Sequence, residues 1–292
     1  MATFASPQNP APSTQHPTWA DRYLALLGLE RKKPSLDALT RLVRAQVLTV
    51  PFENVTALLR RRDHPTGPVP PMDLDILLDT WERRAGGGIC FELAAMFSRL
   101  LASLGYDVYV VLAQVSLPNG HQAIHVTLDG TRCLVDLGTG GPIFQPIPLD
   151  DLPFEIHQHG VGYRFRFGDE PRQLLREALI QGDWSVTCRY RLVPASDEDR
   201  NWGYQNHHVV NASWVTGTLT MTRSTEEAVY ALKDATLTRY TDAEKTVETV
   251  ADPAAYARLA AEPYGLPRLP IHEALEVRAA FAKLATGPTN AR

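Results

Sequence analysis

The spacing of apolar residues changes from helical to alternating near residue 105, and this change sets the class of fold. Before it, apolar residues recur at helical spacing over residues 19–29, 35–48, 73–84 and 91–104. After it, apolar and polar residues alternate, as they do along half-buried strands. Helices followed by strands predict an α+β fold. Ser35 is a residue type that caps helices, so we expect a helix to begin there.

Polar segments interrupt this pattern. Residues 60–72 contain four prolines, and residues 193–213 are mostly polar, so the first is predicted to be a loop and the second a polar crossing. Strands are predicted over residues 106–117, 123–128, 131–136, 162–167, 184–192, 216–222, 228–240 and 245–250, and a further helix over residues 252–261.

A cysteine opens the last helical segment before residue 105. Gly86, Gly87, Gly88 and one isoleucine precede Cys90, and an apolar stripe follows it. The first turn of a helix has unpaired N–H groups and a positive dipole end, which stabilise a thiolate. Glycines let the chain approach that helix start closely. Cys90 is therefore a candidate nucleophile, although a cysteine that only packs in the core gives the same local pattern.

Residues 122–137 are predicted to form a β-hairpin, because an Asp-Gly turn signal joins two alternating runs. The register of that turn places Asp136 on the same face as His121 and His125. Either imidazole is within reach of the carboxylate, and the hairpin alone does not choose between them. Cys133 falls on the opposite face and is expected in the core. With Cys90, these residues fit a triad of nucleophile, base and orienting acid.

Other candidate sites are weaker. Two histidines four positions apart bind zinc when they lie on a helix, but His121 and His125 lie on a predicted strand, so no metal is expected. The Asn-His-His run at 206–208 fits metal coordination, phosphate contact or plain loop surface, and the last is favoured. The Gly-Thr-Gly run at 138–140 is either a turn or a wall of small residues past which a substrate reaches the sulfur.

These motifs resemble those of the arylamine N-acetyltransferase family. The similarity runs through residues 19–268, and four segments look like family signatures in the same order: 51–55, 87–93, 121–138 and 256–266. In the family the histidine precedes the aspartate by an interval that His121 matches and His125 does not. The resemblance therefore selects His121 as the base.

The resemblance implies three structural units around a Cys-His-Asp core like that of cysteine proteases. They are an N-terminal helical bundle, a central β-barrel and a C-terminal α/β lid. We place a disordered tail at residues 1–18, the helical domain at 19–105, the barrel at 106–198 and the lid at 199–292.

The resemblance also implies the reaction. Acetyl-CoA is the expected co-substrate, no cofactor is expected to stay bound, and an acetyl or other acyl group would pass through a cysteine thioester to an arylamine or arylhydrazine nitrogen by ping-pong kinetics. The implied catalytic residues are Cys90, His121 and Asp136. Acceptor contacts are expected from Phe52, Thr139 and Gly140, and CoA contacts from Gly138, Asn206 and His208.

Four departures from the family pattern leave the acceptor open. Gly86 stands where the family has arginine, Ala94 where it has asparagine and Thr139 where it has phenylalanine, and the 31 positions from Cys90 to His121 form a shorter interval than expected. The first puts a buried ion pair in question, and the third removes a ring from the acceptor pocket. The closest alternative is an amide synthase that releases a polyketide from an acyl carrier protein. A cysteine hydrolase and a non-catalytic binding protein are further alternatives.

Composition argues against several other partners. The 292 residues carry a net charge of −4, with 21% charged residues, so neither nucleic acid nor a membrane is expected as a partner. Three cysteines do not make a disulfide framework. Residues 1–18 lack the charged start and apolar core of a signal peptide. A reducing, cytoplasmic location is therefore expected.

Overall fold

The computed structural model describes residues 17–285, so the predicted tail at residues 1–18 lies outside the described residues except for its last two. The helices are α1 (Trp19–Leu26), α2 (Leu36–Thr49), α3 (Val55–Asp63), α4 (Leu74–Glu82), α5 (Cys90–Ser103), α6 (Asp197–His207), α7 (Trp214–Gly217), α8 (Pro253–Ala261) and α9 (Ile271–Ala285). The strands are β1 (Phe52–Glu53), β2 (Asp107–Gln114), β3 (His121–Leu128), β4 (Thr131–Val135), β5 (Ile147–Pro148), β6 (Phe154–Gln158), β7 (Val161–Phe167), β8 (Gln173–Ile180), β9 (Asp183–Arg191), β10 (Thr220–Ser224), β11 (Val229–Lys233), β12 (Thr236–Tyr240) and β13 (Lys245–Thr249).

The N-terminal helices begin where the sequence supplies capping side chains. Ser35 caps α2 as predicted, because its hydroxyl accepts a hydrogen bond from the backbone N–H of Ala38 at 3.1 Å. Thr18 and Asp21 form a capping box at α1, and Asp73 caps α4. The apolar faces of these helices pack around α5, most of whose side chains are buried. The helix that begins with the cysteine is thus the centre of the bundle.

Within residues 17–285, eight strands form one antiparallel sheet that curls into a nearly closed barrel, in the order β5-β4-β3-β2-β9-β8-β7-β6. The predicted hairpin is β3 and β4, and its register is confirmed by the pairs Leu128–Thr131 and Val126–Cys133. One face of β3 joins the helical core through Ile124 and Val126. Residues of the opposite face belong to a separate cluster inside the barrel. The hairpin therefore connects the helical bundle and the barrel.

A second sheet in the same part of the chain has the order β1-β10-β11-β12-β13. Its first strand comes from the N-terminal region, and Phe52 of β1 pairs with Thr222 of β10. Helices α8 and α9 share an apolar cluster with this sheet and with Val55 and Leu58 of α3. The predicted α+β fold, with a helical bundle, a barrel and a C-terminal α/β unit, is confirmed.

Some predicted loops contain helices. Residues 60–63 belong to α3 rather than to the loop predicted at 60–72, and the polar crossing predicted at 193–213 contains α6. Most of α6 is polar, but Ser196 caps it by accepting from the backbone N–H of Asp199 at 3.0 Å. The single strand predicted over 228–240 is the hairpin β11–β12. The strands β1, β5, β6 and β8 and the helices α3, α7 and α9 have no counterpart in the prediction. No helix in the described part of the chain is long and apolar enough to cross a membrane.

Candidate active site

Cys90 is the first residue of α5, as its place after the glycine run predicts. The backbone N–H of Ile89, the N-cap, donates to Oε2 of Glu92 at 2.9 Å. Oε1 of Glu92 lies 2.6 Å from Nη2 of Arg60. Cys90 is only 3% exposed. The sulfur therefore lies at a fixed helix N-terminus, shielded from water, where the backbone dipoles favour a thiolate.

The glycine run before the nucleophile is held by Glu53. The Glu53 carboxylate accepts hydrogen bonds from the backbone N–H of Gly87 at 3.1 Å and from the N–H and hydroxyl of Thr56 at 3.0 and 2.8 Å. Burial raises the pKa of Glu53. A Cβ on Gly87 would lie 2.1 Å from the carbonyl oxygen of Pro51. Gly86, which stands where the family has an arginine, lies next to the Glu53 carboxylate. Backbone N–H groups and a hydroxyl therefore bind this carboxylate at the position where an ion pair was in question.

The hairpin supplies the histidine and the aspartate. Nε2 of His121 lies 2.9 Å from Oδ1 of Asp136, and the backbone N–H of Gly138 donates to the same oxygen at 3.0 Å. The other carboxylate oxygen accepts from Arg176 at 2.7 Å and from the hydroxyl of Tyr190. A carboxylate only accepts, so Nε2 of the ring carries the hydrogen. This arrangement leaves Nδ1 free to take a proton from the cysteine.

The buried groups of the site shift one another's pKa values. Burial raises the pKa of Cys90, but hydrogen bonds from His121 and His207 outweigh it and bring the pKa to about 6. Burial lowers the pKa of His121, but the charge and hydrogen bond of Asp136 raise it well above its usual value. Burial opposes ionisation of Asp136 as well, yet the charges of His121 and Arg176 hold its pKa below the usual range. These shifts favour a thiolate on Cys90 beside an imidazolium on His121.

Glycine at position 138 allows the cysteine and the histidine to meet. A Cβ on Gly138 would lie 2.4 Å from Cβ of Cys90 and 2.6 Å from Cε1 of His121. Both distances are shorter than any real contact between these atoms. The structure places Gly138 against Cys90 and His121, and the expected contact of Gly138 with CoA stays a prediction.

The residues after Gly138 form the group expected to contact the acceptor. Thr139 is half-buried, and its hydroxyl accepts from the backbone N–H of Gly141 at 3.1 Å. Gly140 packs against Phe52. The ring of Phe52 lies 5.5 Å from that of Trp214, centroid to centroid. Residues 138–140 therefore connect the Cys90–His121 pair to the rings of Phe52 and Trp214.

His125, the alternative histidine, is engaged elsewhere. Its ring stacks on Tyr109 of β2, with centroids 4.4 Å apart and planes at 10°. Asp136 is bonded to His121 instead, so the geometry selects the same histidine as the family interval. Among residues 17–285, no three His, Cys, Asp or Glu side chains are grouped so that they could hold a metal ion.

The two residues expected to contact CoA from α6 make contacts within the protein. Nδ1 of His208 lies 2.9 Å from the carbonyl oxygen of Tyr204, and Nε2 lies 3.1 Å from Nη1 of Arg60. Burial, aided by the charge of Arg60, lowers the pKa of His208 to about 3. Asn206 donates to the carbonyl oxygen of Trp202 at 2.9 Å. A role in CoA binding for these residues stays a prediction.

The residue between them, His207, lies at the nucleophile, and the sequence pattern does not single it out. Its Nε2 is 2.7 Å from the carbonyl oxygen of Gly120. The sulfur of Cys90 lies 3.9 Å from the same oxygen. The available signal is a pair of histidines in a polar segment, and the binding residues predicted there are Asn206 and His208, not His207. Only the packing of α6 against α5 shows which ring faces the cysteine.

Known proteins are similar to this chain in sequence and in fold. A family model described as N-acetyltransferase matches residues 35–267. The arylamine N-acetyltransferase of Mycolicibacterium smegmatis is 29% identical over 226 residues, covering 72% of this chain and 78% of that protein. Proansamycin X synthase of Amycolatopsis mediterranei is 29% identical over 171 residues, covering 56% of this chain and 64% of that protein.

Solved structures of such enzymes superimpose on most of the chain. The arylamine N-acetyltransferase of Mycobacterium marinum aligns with a TM-score of 0.76 at 22% identity, covering 90% of this chain and 98% of that one. That of M. tuberculosis aligns with a TM-score of 0.72 at 26% identity, covering 84% and 93%. The M. marinum enzyme has also been solved in complex with CoA. Because the family model covers well over half of its length, the chain belongs to the N-acetyltransferase family and, as predicted, is an enzyme of that kind.

Proposed function

We propose that this enzyme transfers an acetyl group from acetyl-CoA to the nitrogen of an arylamine or arylhydrazine, through a thioester on Cys90. The observation that carries the proposal is the alignment of three buried side chains. His121 contacts Cys90 on one side and Asp136 on the other. Named relatives acetylate arylamines, and one structural neighbour binds CoA, which supports this donor and this class of acceptor.

The first half-reaction forms the thioester. The Cys90 thiolate attacks the carbonyl carbon of acetyl-CoA, and the carbon–sulfur bond to CoA breaks. His121, as imidazolium, gives its proton to the departing CoA thiolate. Backbone N–H groups beside Cys90 would hold the oxyanion, each contributing roughly 2.7–4 kcal/mol.

The second half-reaction transfers the acetyl group. The amine nitrogen attacks the thioester carbonyl, neutral His121 takes the nitrogen proton, and Cys90 leaves as a thiolate. Asp136 keeps the imidazole in one tautomer and stabilises its charged form throughout. Because the two substrates react in turn at one sulfur, ping-pong kinetics follow.

For the acceptor we propose contacts with Phe52, Thr139 and Gly140, which form one group next to the catalytic pair. For CoA we retain Gly138, Asn206 and His208 as candidates, with support only from their closeness to the site. The three cysteines in the chain are buried and free, which supports a reducing location such as the cytoplasm.

A second candidate is amide synthesis on a carrier-bound acyl chain, with an acyl carrier protein as partner. Two observations favour it: the similarity to proansamycin X synthase, and a threonine at position 139 where the family has a ring.

Intact mass spectrometry tests the main proposal. On mixing with acetyl-CoA, the protein should gain one acetyl group, located on Cys90 by peptide mapping, and an arylamine should remove it. Cys133→Ala and Cys188→Ala proteins should behave like the parent, and Cys90→Ala should not be acetylated. Acetylation of the Cys90→Ala protein with transfer to the amine would refute the mechanism, whereas discharge by water alone at the same rate would indicate a hydrolase.

A substitution at Thr139 tests the acceptor. A ring at this position would add about 0.5–1.5 kcal/mol of aromatic contact with a small arylamine. We therefore expect Thr139→Phe to raise kcat/KM for a small arylamine severalfold, with acetyl-CoA as donor. If the parent is already efficient and Thr139→Phe is slower, the site suits ordinary arylamines with threonine at this position, and Thr139 no longer supports the amide-synthase candidate.

A further inference from the structure

His207 occupies a buried position beside the nucleophile. It is the last residue of α6 and is 1% exposed. Its ring packs edge-on against Phe91, with centroids 5.3 Å apart. Phe91 follows Cys90 directly in α5, and the hydrogen bond between His207 and Cys90 is one of the interactions that favour the thiolate. Two imidazoles, those of His121 and His207, therefore face one sulfur.

The hydrogen bonds of the two rings give them different chemistry. Nε2 of His207 lies 2.7 Å from the carbonyl oxygen of Gly120. A carbonyl oxygen only accepts, so Nε2 carries a hydrogen whether the ring is neutral or charged. Nδ1 lies 3.3 Å from the hydroxyl oxygen of Ser213. Nε2, which approaches the same carbonyl oxygen as the sulfur of Cys90, is therefore a donor, and it has no lone pair with which to take the thiol proton.

His121 has the opposite arrangement, because its Nε2 is bonded to Asp136 and its Nδ1 is left for the sulfur. The carbonyl oxygen of Gly120 lies 3.9 Å from the sulfur of Cys90. That oxygen accepts from a thiol but repels a thiolate, so ionisation of the cysteine leaves an unfavourable pair. A donor shared between the oxygen and the sulfur relieves this repulsion.

We propose that His207 is a second hydrogen-bond donor to the Cys90 sulfur, which stabilises the thiolate while His121 alone exchanges the proton. This inference rests on the proposed role of Cys90 as the nucleophile. In this proposal α6, a helix from the crossing segment, contributes directly to the reactivity of Cys90. It also predicts that a neutral donor can replace the ring, because the proposed role needs an N–H group and no titration.

The experiment measures the pH dependence of Cys90 alkylation by iodoacetamide, with the modified residue identified by peptide mapping. His207→Leu removes the donor, and His207→Gln keeps an N–H group. His125→Leu is the matched control, since it removes another buried histidine that contacts Tyr109 instead. Circular dichroism and thermal melting establish that each protein is folded. No acyl donor is present, so the result does not depend on whether Cys90 forms an acetyl thioester.

The parent protein should show a midpoint near pH 6. In His207→Leu the midpoint should rise by about one to two pH units, the effect of losing one charge-assisted hydrogen bond. In His207→Gln and His125→Leu it should stay within about half a unit of the parent value. A folded His207→Leu protein with an unchanged midpoint would overturn the proposal, as would equal shifts in the Leu and Gln variants. If His207→Leu does not fold, His207→Phe keeps the ring shape without the donor and should show the same rise.

Discussion

In the proposed mechanism, the reactivity of this protein depends on the hydrogen-bond donors around the sulfur of Cys90. Cys90 is buried, which by itself would keep it a thiol, and its pKa of about 6 exists only because imidazole donors outweigh that burial. Asp136 raises the pKa of His121 above its usual value. Contact between Cys90 and His121 contributes to both shifts, since each charge stabilises the other.

These shifts predict the pH profile of thioester formation. A rise in pH ionises Cys90, so kcat/KM for acetyl-CoA should increase through about pH 6 and reach a plateau. At pH 5 it should be about tenfold below the plateau. It should fall again at high pH, where His121 loses the proton that the departing CoA needs. Stopped-flow or burst kinetics with acetyl-CoA measure the profile, and a constant rate from pH 5 to 8 would show that no thiolate limits the step.

A single methyl group should separate the catalytic pair. Because a Cβ on Gly138 would overlap Cys90 and His121, Gly138→Ala should lower the rate of thioester formation by at least about 100-fold. Gly217→Ala is the matched control, since a Cβ there meets nothing within 4 Å, and it should leave the rate unchanged. An active Gly138→Ala protein would mean that the sulfur and the ring do not need this approach.

At the scale of secondary structure, the start of α5 is the element that positions the nucleophile. Glu92 is fully buried, caps the N–H of Ile89 and pairs with Arg60. Glu92→Ala should lower the free energy of unfolding by about 2–4 kcal/mol, below the cost at a fully buried pair, because Arg60 keeps some contact with water. Urea denaturation measures this. The control Asp75→Ala removes an exposed first-turn acid of α4 and should change the value by about 0.5 kcal/mol or less.

The same scale shows what sequence patterns can and cannot predict. The hairpin register and the cap at Ser35 follow from local chemistry, and both are confirmed. The sequence pattern does not predict helix α6, because this helix has almost no apolar stripe. A cap and the burial of Tyr204 and His207 stabilise it. The sequence pattern therefore does not identify His207, since the position of this residue beside Cys90 depends on how a polar helix packs. The choice of His121 needed the family interval, and the contact with Asp136 supports it independently.

At the scale of the whole molecule, the site is assembled from three parts of the chain. The helical bundle gives Cys90, the barrel hairpin gives His121 and Asp136, and the crossing segment gives His207. The domain limits at residues 105 and 198 stay a prediction. The C-terminal sheet nevertheless includes β1 from the N-terminal region, so the units are joined by backbone pairing as well as by side chains.

Asn54, which follows β1, has a side chain that links the N-terminal region to the segment before β10. We call this contact the junction. It is fully buried; its Nδ2 donates to the carbonyl oxygens of Val215 and Thr218 at 2.7 and 2.6 Å, and its Oδ1 accepts from the N–H of Thr220 at 2.8 Å. Asn54→Ala leaves these backbone groups without their partner. We expect a loss of about 3–4 kcal/mol in the free energy of unfolding, near 1 kcal/mol for each bond.

The matched control for the stability measurement is Asn206→Ala, because that amide bonds only to the carbonyl oxygen of Trp202 within its own helix, and it should cost about 1 kcal/mol or less. Its candidate role in CoA binding keeps this variant out of the kinetic comparison. The junction also carries Phe52 on one side and Trp214 on the other. Loosening it should therefore raise KM for the arylamine more than it slows thioester formation, which depends on α5 and the hairpin. Urea denaturation and separate assays of the two half-reactions measure both effects. Equal stability of the two variants would show that the C-terminal sheet is held by apolar packing alone.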